Sequence, residues 1–145
     1  MSAAEAIISL TAAQKKEERT YVFVFWDDAG ARKQLEVRCQ LVDGSVLPVT
    51  ISINGSKKEV RRHELRTLGF MIRHAGTAAT EEMFVRELYP GQQIIGNTMA
   101  VHLSGIRKAF GDTSRTKELR LIMSLGHNKG YKMRAPSHPD SPRVA

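Results

Sequence analysis

The chain has 145 residues, of which 41% are hydrophobic and 26% charged, and it carries a formal net charge of +7. That length suits one domain with tails, since domains commonly run to about 100–150 residues. No apolar run approaches the roughly 18 residues of a membrane span, so no membrane partner is expected, and the lone Cys39 has no mate for an internal disulfide.

The opening "AEAIISLTAA" is short, contains Glu5 and lacks a basic leader, so it reads neither as a signal peptide nor as a stable isolated helix. Residues 1–19 are therefore expected to form a flexible arm. From Thr20 the composition turns to β, with "TYVFVFW" (20–26), "QLEVRCQL" (34–41), "LPVTISI" (47–53) and a short "KEV" (58–60). The Asp-Gly of "VDGS" and the Asn-Gly of "NGSK" are strong hairpin signals, and they predict an antiparallel sheet of about four strands over 20–60. Cys39 alternates with one face of the second strand and reads as a packed thiol.

From Arg61 the period becomes helical. Leu65, Leu68, Met71 and Ile72 share one side of "RRHELRTLGFMIRHAG", which Gly76 ends. Thr80 is a suitable N-cap for "TEEMFVRELY", with Glu81 and Glu82 in the first turn, where the helix dipole favours them, and Pro90-Gly91 stops that helix. After "GQQIIG", Asn97 or Thr98 caps a third helix whose Met99, Leu103, Ile106 and Phe110 fall at i, i+4, i+7 and i+11. These four form its core side, and Gly111 closes it. "LRLIMSL" and "YKMRA" then read as two strands around the turn "GHNKG", and residues 135–145, with "PSHPDSPRVA", as a disordered tail.

The positive charge is concentrated. Between Gly96 and Arg134, eight Lys and Arg residues stand against Asp112 and Glu118, almost the whole excess of the chain. A basic segment of this kind attracts polyanions, nucleic acid first among them. No phosphate-binding glycine loop, nucleophile–base pair or metal-ligand spacing occurs, so neither an enzyme nor a cofactor is expected.

The third helix frames the functional question. Opposite its apolar spine lie Asn97, Val101, Ser104 and Lys108, flanked by Thr98 and Gly105 on one side and Arg107 on the other. Small residues let a helix approach base edges closely, Asn, Ser and Lys supply hydrogen bonds, and Val101 suits a thymine methyl. Arg107 and Lys108 suit phosphates. His102 sits on the helix shoulder, where packing and base contact are equally open to it, and Gly105 also fits a merely tolerated helix glycine.

The stretches "VRRHELRTLGFMIRHAG", "TEEMFVRELY", "VHLSGIRKAFG" and "GYKM" together resemble the C-terminal effector domain of OmpR/PhoB-type response regulators. The resemblance covers roughly residues 46–133. It rests on Val60 and Glu64 at the start of the first helix, on Val101, His102, Leu103, Ile106, Arg107 and Lys108 in the third, and on Gly130, Tyr131 and Lys132 at the hairpin. It implies an α+β fold in which an N-terminal antiparallel sheet (20–60) precedes a three-helix winged helix-turn-helix with a C-terminal β-hairpin wing (61–134). The third helix would enter the major groove of double-stranded DNA, and the wing, through Lys129 with His127 and Lys132 beside it, would reach the minor groove. The function so implied is that of a bacterial or phage-type transcription regulator, cytoplasmic and nucleoid-associated, bound as a homodimer or as head-to-tail copies. A receiver domain of about 120 residues does not fit before Val46, which implies action without phosphorylation. The Pro90–Gly96 loop corresponds to a region that meets RNA polymerase in some relatives. The other function compatible with these residues is a winged-helix interaction module, an adaptor or antiactivator that does not read DNA.

Overall fold

The computed structural model describes residues 17–94, 96–126 and 128–137. Four strands open it, β1 (Glu17–Trp26), β2 (Arg32–Val42), β3 (Ser45–Ile53) and β4 (Ser56–Lys58), paired antiparallel in that order. β1 begins at Glu17, before the expected Thr20, and β4 closes at Lys58, short of the expected Val60. Both tight hairpins fall where Asp-Gly and Asn-Gly predicted them. Asp43 and Gly44 have φ of 50° and 81°, and Asn54 and Gly55 have 50° and 83°, the doubly positive pair that matches the twist of the flanking strands. The inner face carries Tyr21, Phe23, Phe25, Leu35, Val37, Cys39, Ile51 and Ile53, all buried. A bulge between Arg38 and Cys39, opposite Val49, bends the sheet over the first helix.

Helix α1 (Arg62–Arg73) lies under β3, so close at Gly69 that a Cβ there would stand 2.1 Å from the Val46 carbonyl oxygen. Strand β5 (Ala78–Ala79) leads into α2 (Glu81–Leu88), whose Met83 N–H donates to the Thr80 hydroxyl at 3.2 Å, as expected of the cap. Helix α3 (Thr98–Phe110) ends at Gly111 in the left-handed conformation, φ 68°. A short 3-10 turn (Lys117–Leu119) precedes β6 (Ile122–Ser124) and β7 (Tyr131–Met133). The expected two-stranded wing is part of a three-stranded sheet in the order β5-β7-β6. β5 escaped the sequence reading because two alanines carry no periodicity.

One hydrophobic cluster joins the sheet face to Leu68, Met71 and Ile72 of α1, Phe84 of α2, the α3 spine and Met133 of β7. The residues after β7 turn back along the outer edge of β1. Arg134 sits over the Trp26 ring at 5.7 Å, and Ser137 N–H donates to Val22 O at 2.9 Å. The start of the expected disordered tail is thus tied down, while residues 1–16 and 138–145, where the rest of the arm and tail fall, lie outside the described residues. Among the described residues no helix is long and apolar enough to cross a membrane.

Candidate nucleic-acid interface

α3 is held on two sides and from below. Met99, Leu103, Ile106 and Phe110 are each about 1% exposed or less. Below its last turn, the Asp112 carboxylate accepts from Leu121 N–H and Ile122 N–H at 2.8 and 2.9 Å, fixing the helix end to β6. Burial raises the Asp112 pKa above the ordinary carboxylate value, and those two N–H groups, with Arg107 and Arg120 nearby, oppose the rise. In the sequence this residue counts only against the basic excess, since its partners are backbone groups that leave no pattern there.

The outer face is as expected. Asn97, Val101, Ser104 and Lys108 are exposed and one turn apart along α3, with Val101 at 57% exposure. Asn97 occupies the N-cap position, yet its side chain makes no capping bond. Thr98 is half-buried beside it.

The shoulder residues divide differently from the expectation. His102 is buried at 8% exposure and serves packing, the first of the two roles open to it. Its Nδ1 stands 2.8 Å from Thr67 Oγ1, its ring packs 4.5 Å from that of His63, and Phe84 meets it edge-on at 5.7 Å. The Thr67 hydroxyl hydrogen goes to the His63 carbonyl (3.0 Å), so His102 Nδ1–H donates to Thr67. Burial, followed by the neighbouring His63, holds the His102 pKa below its ordinary value. Gly105 also belongs to the helix contact and not to the outer face. A Cβ there would lie 1.9 Å from Glu64 Oε2, so the absent side chain is what lets the start of α1 lie against α3. Glu64 is 8% exposed and accepts from Arg61 N–H at 3.0 Å. Arg107 leans toward Asp112, its Nε 3.6 Å from Asp112 Oδ2, with its side chain 24% exposed.

On the wing, Lys129 is exposed at the tip, and Lys132 is half-buried on β7 opposite Ala78 and Met123. His127 lies outside the described residues. Gly130 has φ 82°, and a Cβ on it would stand 2.3 Å from the Ala79 carbonyl oxygen, so the wing is seated on β5 through backbone contact. Between wing and helices runs an open cleft lined by Glu81, Glu82, Arg86, Ala100 and Asn128, among others.

These elements define a winged-helix domain with a sheet in front of it. No family model matches the chain, and no curated protein does. Among solved structures it is similar to the DNA binding domain of CpxR from E. coli, at 22% identity and a TM-score of 0.49, over 67% of this chain and 96% of that one.

Proposed function

We propose that this chain is a transcription regulator of OmpR/PhoB type that binds double-stranded DNA sequence-specifically, with α3 in the major groove and the wing tip toward the adjacent minor groove. One observation carries the reading. The exposed stripe of Asn97, Val101, Ser104 and Lys108 stands on a helix whose opposite side is sunk in the core. A rigid rod bearing short side chains meets the requirement of a groove about 12 Å wide whose base edges are read at hydrogen-bond distance. Asn97 can bond an adenine edge through both amide atoms, Val101 can cover a thymine methyl, and Lys108 reaches a guanine edge or a phosphate. In this reading two or more copies sit on repeated half-sites, and the exposed residues 90–93 of the loop between α2 and α3 are available to RNA polymerase.

The test is binding to duplexes selected from a random pool, titrated at several salt concentrations. The logarithm of the association constant is expected to fall linearly with the logarithm of salt, by about 0.9 for each phosphate neutralised. Asn97→Ala and Ser104→Ala should each cost about 1–3 kcal/mol at particular base positions and nothing on unrelated duplexes. Binding without a salt slope, or variants that weaken all duplexes equally, would overturn sequence-specific reading by this face.

A further inference from the structure

The two sides of the α3 stripe differ in charge. On the wing side Glu81, Glu82 and Arg86 line the cleft, and the exposed cation beyond it is Lys129 at the tip. On the other side, Gly105 follows Val101 by one turn and precedes Lys108 by one, and it rests on Glu64 in the first turn of α1. The residues just before Glu64 therefore come up beside the stripe. They are Lys57, Lys58, Glu59, Val60, Arg61, Arg62 and His63; His63 packs on the His102 ring, and the four Lys and Arg residues are exposed. Lys57 is engaged by Glu59 at 4.0 Å, whereas Lys58, Arg61 and Arg62 have no ion-pair partner among the described residues. Lys58 pairs with Ile51, whose side chain is on the helix side of the sheet, so it faces the same way as the helices.

Arg61 stands at the N-cap of α1 and Arg62 in its first turn, the positive end of the helix dipole. Cations in the first turn of a helix oppose its dipole, and a patch of unpaired positive groups repels itself. A conflict between local stability and residue choice marks a place that serves a partner. Resting on the DNA-binding reading above, we infer that the anchor for the DNA backbone in this protein is the segment Lys58, Arg61 and Arg62, with Lys108, on the α1 side of α3. In this arrangement one phosphate strand of the major groove is gripped by the start of α1. The strand on the wing side passes a rim that carries two carboxylates and is held by the wing tip alone.

The experiment compares K58Q/R61Q/R62Q with K129Q/K132Q, in the full chain, on one selected duplex and one unrelated duplex across a salt series. The triple variant is expected to lower the salt slope by about 2 to 3 and the wing pair by about 1, with the triple weakening both duplexes by the same factor. E59Q, a surface change that removes the one carboxylate inside the patch, should strengthen binding to both duplexes several-fold. R61K/R62K, which keeps the charge, should keep the slope, and thermal melts of each variant establish that it is folded. If the triple and E59Q leave slope and affinity unchanged while Asn97→Ala still weakens the selected duplex, the anchor is elsewhere and the DNA reading stands. If the unmodified chain binds neither duplex, both readings fall together.

Discussion

On the α1 side of α3 the contact is interior. The Glu64 carboxylate fills the space over Gly105, and His102 is enclosed by Thr67, His63 and Phe84. On the wing side Ala100 looks into an open cleft, and the wing is carried by strands of two and three residues that lean on one another through Gly130 and Ala79. The first side sets where α3 points, because a side chain packed at that depth leaves no slack. The second is a light attachment whose position rests on backbone contact and a few ladder bonds, and regions with so few buried contacts are the ones that open locally first. A reading helix with one fixed flank and one yielding flank can keep its register on bases while the wing adjusts to the width of a groove.

The comparison can be broken at the wing. Gly130→Ala forces a left-handed φ on a side chain and drives its Cβ into the Ala79 carbonyl. Strain of this kind is worth about 1–3 kcal/mol and overpacking a similar amount, so a loss of about 3 kcal/mol or more is expected in urea unfolding. Amide exchange should quicken at Ala78 and Ala79 before it does in α1, and equal acceleration on both sides would erase the distinction. Asp112→Ala acts where both flanks meet, leaving Leu121 N–H and Ile122 N–H without their acceptor. The expected loss is about 2 kcal/mol, with Asp112→Asn recovering part of it because one acceptor oxygen remains. An unchanged midpoint would show that the carboxylate is not what joins α3 to β6.

The smallest effect separates the flanks by pH. Because burial holds His102 below its ordinary value, the unfolded chain takes up this proton first. The contribution is therefore flat at and above neutral pH and is lost as pH falls from about 6.5 toward the folded-state value. Stability should decline on acidification through that window, and His102→Gln should flatten the decline. No other buried histidine occurs among the described residues, so the loosening is expected at α1–α3 first. A profile that is the same in His102→Gln would remove His102 as its source.

Much of this was legible in the residues. Alternation gave the long strands, the two doubly positive turns were written as Asp-Gly and Asn-Gly, and the spine of α3 followed from spacing alone. What escaped had physical reasons. β5 is too short to show a period, and Asp112 serves backbone groups far along the chain. His102 and Gly105 stand on the shoulder of a helix, where the direction of the neighbouring helix, and not the helical repeat, decides whether a residue is inside. The patch at Lys58, Arg61 and Arg62 was hidden by averaging. Counted with the acidic residues before Gly96 it nearly vanished, and the charge balance drew attention to the stretch after Gly96, where Arg107 leans toward Asp112.

The bond from Ser137 to Val22 bears on how the protein behaves in a tube. β1 is the outermost strand of its sheet, ten residues long, and the returning chain covers part of its open edge. A chain cut just after Arg134 would keep every helix and both wing strands, yet it would expose that edge as a template for a neighbour's backbone. Such a shortened form should precipitate or self-associate at concentrations where the full chain stays dispersed.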